Sequence, residues 1–571
     1  MLPKIWQCQQ QCPEDIQEMA ESLSISPLTA TVLLGRGISD VDQARQWLSL
    51  DEPLLHDPFL IPDMEPAIHR LHHAITHGER ICCYGDYDVD GISASSLYLL
   101  GLREYGATCD VYIPDRQTEG YGLNISAIRA LASQGVTVLI TVDCGTTSHE
   151  EVLLAKQLGM DMIITDHHQL QGEGPEALAF LNPYRQDSQY PFKGLCSCGL
   201  AYKVIKAYAS LFGHHQEPPS RFLDLVALAT IADVVPLQDE NRWLVRNGLE
   251  IISGKPRPGI QALKRQAGID ETCTAGMIAF QLAPMLNAAG RLAKAMLGVD
   301  LLTCPSAGLA ETLAGDLNRL NRQRREIERA IFEAAVKECD ADGMKEAMVV
   351  GARDWHMGVV GIVASRLVER YHRPAVVIAF GKDGRGRGSL RSIPGLDICQ
   401  VLSHCSDLLE GWGGHPAAAG INIREQALPQ FRERFTSSVA SHLKEEICRP
   451  ILHIDAKVAL REIDPLLLQE LGHFQPFGMG NPEPTFMATQ LTVLEQRIVG
   501  NDHLKLVVRQ PHSSPFESIG FRMAGAAKTH ASSWSPIDLA FIPEQNRWRG
   551  LDKIQLRIRD VRVSKPTGQA S

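Results

Sequence analysis

Between residues 80 and 165 the sequence repeats one pattern, a short apolar run followed by a stretch with helical spacing. The runs are Ile81–Tyr84, Cys109–Ile113, Val136–Val142 and Met162–Thr165, and helices are expected over 92–105, 125–134 and 149–158 between them. Strands alternating with helices imply βα units and a mostly parallel sheet covered by helices. Ligands of such sheets gather beyond the carboxyl ends of the strands. Functional residues are therefore to be sought directly after each apolar run.

Three of those ends carry acids. The first run leads into Gly85-Asp86-Tyr87-Asp88-Val89-Asp90-Gly91, with carboxylates at alternate positions between a strand and a helix. Asp143 closes Val136–Val142 and is followed by Cys144-Gly145, and Asp166-His167-His168 closes Met162–Thr165. One acid there would read as a turn or cap residue. Several acids buried together repel one another unless a divalent cation neutralises them. Asp233, in Ala232-Asp233-Val234-Val235, is weaker alone, because it could cap the next segment. Aspartates with one or two histidines and no cysteine favour Mn²⁺ or Mg²⁺ over structural zinc. There are enough ligands for two divalent cations, the arrangement that serves phosphoryl hydrolysis.

The rest of the chain falls into parts. Residues 1–75 read as a helical lead-in, including a helix from Asp40 with Ser39 as its cap. Residues 76–305 form the acid-bearing α/β lobe, with further helices at 199–212 and 221–231. A charged amphipathic helix from about Gly308 to Cys339 makes 306–342 a connector. Ala347–Val350 and Pro374–Phe380 begin a second α/β lobe over 343–446, and short strands such as Leu504–Val508 and Ile554–Ile558 suggest a small β-barrel over 447–571. The fold class is α/β: two α/β lobes joined by a long helix, then the β-rich tail.

Lys and Arg number 56 against 67 Asp and Glu, a net charge of −11, which argues against a binder working by global positive charge but allows a local basic channel. The closest cysteine groups, Cys8/Cys12, Cys82/Cys83 and Cys196/Cys198, form no C-x2-C pair, so zinc ribbons are not expected. Absence of a signal-like start and of long apolar runs points to a cytoplasmic protein with free thiols and no membrane span.

Asp86–Gly91, Val142–Gly145, Asp166-His167-His168 and Ala232-Asp233-Val234 resemble the four motifs of the DHH phosphoesterase superfamily, and Gly413-Gly414-His415-Pro416-Ala417-Ala418-Ala419-Gly420 resembles the signature of its associated second domain (DHH-associated). Trp355–Arg366, Asn287–Arg291 and Pro476–Pro484 narrow the resemblance to the superfamily's bacterial single-strand-specific 5′→3′ DNA exonucleases. The resemblance implies hydrolysis of single-stranded DNA from its 5′ end to 5′-mononucleotides in repair and recombination. It also implies an OB-like fold for the tail and a narrow cleft between the lobes that excludes duplex DNA.

By the same resemblance Asp90, Asp143, His167 and Asp233 would hold one metal, and Asp88 and Asp143 the other with help from Asp86. Asp143 would bridge the pair, and His168 would face the scissile phosphate or tune the centre from beside it. Arg116, Arg291, Ser389 and Arg391 match positions used near the 5′-phosphate and backbone, and His415 sits among small residues that permit close approach of substrate. Arg116 beside Asp115 could instead be a surface ion pair. Residues 381–391, with Lys382, Arg385, Arg387 and Arg391, read as a flexible basic loop, and Arg319, Arg322, Arg324, Arg325 and Arg329 as a solvated helix face. Phe474, Phe477, Phe486, Trp534, Phe541 and Trp548 could stack bases or form core.

The resemblance further implies single-strand-binding protein and a helicase as partners, and a single chain that supplies both cleft walls is expected to act as a monomer. Two rivals remain. A short-substrate phosphodiesterase or pyrophosphatase of the superfamily would lack the connector and β domain, and a non-catalytic replication scaffold would have eroded metal motifs.

Overall fold

The computed structural model describes all residues except 1–2, 50–54, 117, 121, 171, 214–218, 271, 344, 526–535, 549–550 and 565–571. Trp534 lies outside the described residues, as does the side chain of Trp548. Two compact units emerge: Glu52–Glu326 with Pro476–Pro482, and Met1–Asp51 with Ile327–Gln475 and Glu483–Ser571. The division falls inside the helix Ala307–Asp342, which runs from one unit into the other. The lead-in is shared as well, with 1–51 in one unit and 52–75 in the other.

In the first unit five strands form a wholly parallel sheet in the order Thr108–Tyr112, Arg80–Gly85, Val136–Val142, Asp161–Thr165, Ala179–Leu181. Side chains alternate between the two faces of a strand. Ile81, Cys83, Val138, Ile140 and Ile163 share a core with helices Val89–Glu104, Ser197–Phe212 and Leu223–Ala232. Cys82, Tyr84, Leu139, Met162 and Ile164 pack on the other face with Ile128 and Leu131 of helix Ile125–Ser133 and Val152 and Ala155 of helix His149–Gln157. Strands buried on both faces explain why the apolar runs are continuous instead of alternating. Beneath the helices, Lys203 and Glu240, both without exposed side-chain surface, pair at 2.5 Å, and Tyr190 Oη donates to the same carboxylate.

The second unit carries a five-stranded sheet in the order Leu409–His415, Ala418–Arg424, Arg385–Arg391, Ala375–Phe380, Met348–Arg353, antiparallel except for its last pair. Residues 385–391, expected as part of a flexible loop, are thus the middle strand of this sheet. Glycine alternates with arginine there because one face is packed: a Cβ on Gly388 would lie 2.7 Å from Ile421. The tail pairs in sequence through Phe486–Val499, His503–Arg509, Phe516–Gly520, Leu551–Val563 and Ile537–Trp548, and Phe486↔Phe541 returns the pairing to its first strand. Phe474, Phe486 and Phe541 are fully buried, so they serve the core, whereas Phe477 is half-buried.

Two local expectations change. The lead-in is not helical throughout, because Ile5–Cys8 is a strand paired in parallel with Ile451–Ile454. In the helix Val41–Ser49 the capping acceptor is Asp40, whose Oδ1 receives Gln43 N at 2.8 Å, and not Ser39. All 14 cysteines are free thiols, and among the described residues no helix is long and apolar enough to cross a membrane.

Candidate metal centre

The acids converge at the carboxyl end of the first unit's sheet. Asp86 follows Gly85 at the end of its strand, and its backbone N–H donates to Val142 O on the neighbouring strand. Asp88 caps the helix Val89–Glu104, its Oδ1 accepting from the N–H groups of Asp90 at 2.9 Å and Gly91 at 3.2 Å. Gly91 is required there, because a Cβ would lie 2.4 Å from Asp86 O. Asp143 has φ 63°, a left-handed conformation that an aspartate tolerates better than most residues.

Asp90 is 1% exposed and is held from 107 residues away: Ser197 N donates to its Oδ2 at 2.7 Å and Cys198 N to its Oδ1 at 2.8 Å. Those are the first N–H groups of the helix Ser197–Phe212, whose positive end suits a carboxylate. Asp233 ends the helix Leu223–Ala232, and the following Val234 has φ 60° while 63% exposed. That conformation is strained for a β-branched residue and marks the turn that presents Asp233.

His167 Nε2 is the hub, 3.2 Å from Asp143 Oδ1, 3.5 Å from Asp233 Oδ2 and 3.8 Å from Asp90 Oδ2. Three sets of side chains bring ligand atoms within 4.8 Å of one another: Asp90, His167 and Asp233; Asp86, Asp88 and Asp143; and Asp143, His167 and His168. Asp143 therefore shares one cluster with Asp86 and Asp88 and another with the two histidines, and His167 links it to Asp90 and Asp233. Every acid and histidine singled out in the sequence as a metal ligand meets at this point.

Asp166 organises the pair of histidines, a role that the motif alone did not disclose. Its carboxylate accepts from Thr146 N at 3.0 Å, His167 N at 2.8 Å and His168 N at 3.3 Å, and stands 2.7 Å from His168 Nδ1. Burial alone would raise the Asp166 carboxyl, but the His168 hydrogen bond and charge hold it well below the usual range. Burial likewise opposes a charged His168, yet the bond to Asp166 and the surrounding carboxylates bring it up to about 9. His167 moves the other way, pushed down chiefly by burial, which favours the neutral imidazole that a metal needs. Asn182 Nδ2 completes the support by donating to His168 O at 2.9 Å.

The electrostatics of this centre fit divalent cations. Burial first, and then neighbouring carboxylates, raise Asp86 to about 8 and Asp233 to about 9, and push Asp143 up as well. Asp90 rises through burial, although His167 works against the shift. Asp86 Oδ1 and Asp233 Oδ2 are buried and accept no hydrogen bond. Orphaned oxygens among repelling acids with one imidazole form a hard donor set suited to Mn²⁺ or Mg²⁺. Cys144, Cys196 and Cys198 lie close by, but burial pushes their thiols well up and keeps them from acting as thiolate ligands.

Beside the acids lies a cluster of arginines. The Arg116 guanidinium sits 4.8 Å over the Tyr87 ring, so stacking on the metal motif, more than a bare surface pair with Asp115, fixes its place. The helix Ala283–Leu292 approaches Tyr87 so closely that a Cβ on Gly290 would fall 2.4 Å from Tyr87 O, which brings in Arg291. Burial, followed by the charges of Arg116 and Arg324, lowers Arg291 to about 10. Arg324 is itself buried, with Nε 3.1 Å and Nη2 3.0 Å from Asn321 Oδ1, and so does not belong to a solvated face. Arg319, Arg322, Arg325 and Arg329 are exposed as expected. Spacing on the helix could not single out Arg324, because only tertiary packing distinguishes it from its neighbours.

Ser389, Arg391 and His415 gather on the sheet of the second unit. Arg391 and His415 flank Ala418 in one row of paired residues, Ser389 pairs with Gly420 in the next, and Arg391 Nη1 donates to Ser389 Oγ at 2.9 Å.

Known proteins place these features in a family. Family profiles match at 80–230 (DHH family, N-terminal domain), 345–441 (DHHA1 domain) and 454–560 (RecJ OB domain). The single-stranded-DNA-specific exonuclease RecJ of Bacillus subtilis is 36% identical over 565 residues, spanning 98% of this chain and 71% of the relative. The chain belongs to the RecJ family. The Escherichia coli RecJ exonuclease is 35% identical over 520 residues, covering 87% of this chain and 90% of its own. The crystal structure of RecJ in complex with Mn²⁺ from Thermus thermophilus superposes with a TM-score of 0.85 at 28% identity, over 98% of this chain and 80% of that one. A second structure of that RecJ contains Mg²⁺. Metal-binding relatives and the donor set of this chain thus agree on the two cations expected from the sequence.

Proposed function

We propose that this chain is a metal-dependent exonuclease that hydrolyses single-stranded DNA from its 5′ end to 5′-mononucleotides. The observation that carries the reading is the convergence of five aspartates and His167 at the carboxyl end of a parallel sheet, in a chain whose RecJ relatives are named single-stranded-DNA-specific exonucleases. Asp90, Asp143, His167 and Asp233 would hold one cation, and Asp86, Asp88 and Asp143 the other.

Bound there, such cations lower the pKa of water and neutralise charge on a phosphodiester. The chain's own groups supply the rest. Asp143 joins the two ligand sets, so its loss removes both. Ser197 and Cys198 fix the Asp90 carboxylate from the helix N-terminus. Asp166 commits His168 Nδ1, which makes Nε2 the atom that would meet the scissile phosphate as a hydrogen-bond donor. On the first unit Arg116 and Arg291 are assigned to the 5′-phosphate and backbone, and on the second unit Ser389, Arg391 and His415 are assigned the same chemistry.

The same family reading puts the enzyme in cytoplasmic DNA repair and recombination, acting as a monomer alongside single-strand-binding protein and a helicase. Digestion of end-labelled single- and double-stranded oligonucleotides with Mn²⁺, Mg²⁺ or EDTA tests the activity. Mononucleotides should leave the 5′ end of the single strand only when metal is present; release from the 3′ end, or digestion of duplex at the same rate, would overturn the reading.

A further inference from the structure

Asp90 and Asp233 reach His167 from two separate supports. Asp90 is gripped by the first N–H groups of the helix Ser197–Phe212, and Asp233 follows the last turn of the helix Leu223–Ala232. Irregular backbone adjoins each support: 192–196 leads into the first helix, and 234–238 leads away from the second. Such segments hold a carboxylate only as firmly as the contacts that fix them.

One side chain reaches both segments. Asn241 lies in the first turn of the helix Asp239–Gly254 and is fully buried. Its Nδ2 donates to Gly194 O at 2.6 Å, three residues before Ser197, and to Pro236 O at 3.0 Å, three residues after Asp233. Both partners are carbonyl oxygens, so only the amide NH₂ can meet them, and its two hydrogens are both used. Pro236 has no N–H, which makes its carbonyl the one backbone hydrogen-bonding group it offers. Among the described residues Asn241 Oδ1 is left buried with no hydrogen-bond partner. Burial of an amide oxygen without a donor is unfavourable, so the orientation that ties the two carbonyls together is held against that penalty.

The helix that carries Asn241 is itself fixed against both supports. The adjacent Glu240 accepts from Lys203 Nζ of the helix Ser197–Phe212 at 2.5 Å. Gly248 approaches Leu223 O so closely that a Cβ there would collide with it, which presses the same helix on Leu223–Ala232. Asp86 and Asp88 are placed differently, by a bond from Asp86 N to Val142 O and by the cap of the helix Val89–Glu104.

We propose that Asn241 is a positioning residue for one of the two cations: by tying Gly194 to Pro236 it sets the separation of Asp90 and Asp233, and with it the affinity of the site they form with Asp143 and His167. The site of Asp86, Asp88 and Asp143 does not depend on this clamp. The inference rests on the metal assignment in the proposed function and extends it to a residue outside the ligand set.

The test is Mn²⁺ binding to the full chain, followed by isothermal titration calorimetry without oligonucleotide, alongside the Mn²⁺ dependence of digestion. Wild type should take up two ions. Asn241→Leu keeps the volume and removes the unpaired oxygen together with the donor, and Asn241→Ser is too short to span both carbonyls; neither changes the charge. In either variant one ion should bind at least tenfold more weakly while the other changes less than twofold. Digestion should need correspondingly more Mn²⁺ for its half-maximal rate and return to within threefold of the wild-type kcat at saturation, a rescue that a damaged fold does not allow. Ser518→Ala removes a fully buried donor to Leu506 O in the β-rich tail and serves as the control for lost stability. It should bind both ions as wild type does, and weakening of one ion there to the same degree would overturn the clamp by tracing the effect to stability. Unchanged Mn²⁺ affinities in a folded Asn241 variant would overturn it too, while leaving the metal assignment in place. Failure of the wild-type protein to bind Mn²⁺ would remove both.

Discussion

Tyr87 carries Arg116: the middle residue of Asp86-Tyr87-Asp88 offers its ring to the guanidinium at 4.8 Å, so the metal motif and an arginine proposed to bind the 5′-phosphate share one support. Replacement of Tyr87 by Leu should free Arg116 and reduce the preference for a 5′-phosphate over a 5′-hydroxyl end by roughly three- to tenfold, the worth of a cation–π contact of about 0.5–1 kcal/mol or a little more. Tyr87→Phe keeps the ring and should keep the preference. In an Arg116→Ala background the Leu substitution should have no further effect on end preference, and additive losses in that double-mutant cycle would show that the ring does not act through Arg116.

Asp143 is the one carboxylate that the proposed assignment gives to both cations; it clusters with Asp86 and Asp88 on one side and with His167 and His168 on the other. Asp143→Ala should abolish nuclease activity, with a loss of at least three orders of magnitude as the order expected when a catalytic metal centre is lost. Mn²⁺ titration should show loss of binding while circular dichroism stays that of wild type. Wild-type turnover by the folded variant would remove the assignment.

The buried pair Lys203–Glu240 predicts a stability effect far larger than any surface pair. Glu240→Ala would leave the Lys203 ammonium without its carboxylate in the core and should cost about 3–5 kcal/mol in urea unfolding. Exchanging both residues for apolar ones of similar size should cost much less, and equal losses in the two proteins would contradict this account.

Glu79 supplies a pH dependence. Its hydrogen bonds from Arg70 at 2.6 Å and Thr137 at 2.6 Å, with His73 Nδ1 at 2.8 Å, hold the carboxyl down at about 2. A carboxyl depressed on folding contributes stability that is complete above its unfolded pKa of about 4.3 and is lost as pH falls through the folded value. The Glu79→Gln protein should therefore be less stable than wild type at pH 7, and the gap should narrow between about pH 4.5 and 2. A gap in urea midpoints that is constant with pH would refute the assignment.

The strand ends were legible because a continuous apolar run followed by an acid has few other uses, and Asp86, Asp88, Asp90, Asp143 and His167 all lie at such ends. Contacts made by backbone groups left no such trace. Nothing in Cys196-Ser197-Cys198 announces that two of its N–H groups hold Asp90. Arg385–Arg391 looked like a loop because glycines replace the apolar half of its alternation, and only the packing of Ile378 and Ile421 reveals why. Arg324 differs from the four exposed arginines of its helix through burial alone.

The short segment Pro476–Pro482 has a practical consequence for anyone dissecting the enzyme. Met479 O receives Leu237 N at 2.7 Å, Gly480 O receives Gln238 Nε2 at 2.9 Å, and a Cβ on Gly478 would lie 2.7 Å from the Leu237 side chain, all within five residues of Asp233. A minimal catalytic fragment ending before the β-rich tail would strip this brace from the loop that presents a metal ligand. The tail thus contributes a structural part to the catalytic unit that no DNA-binding assay on the isolated tail would detect.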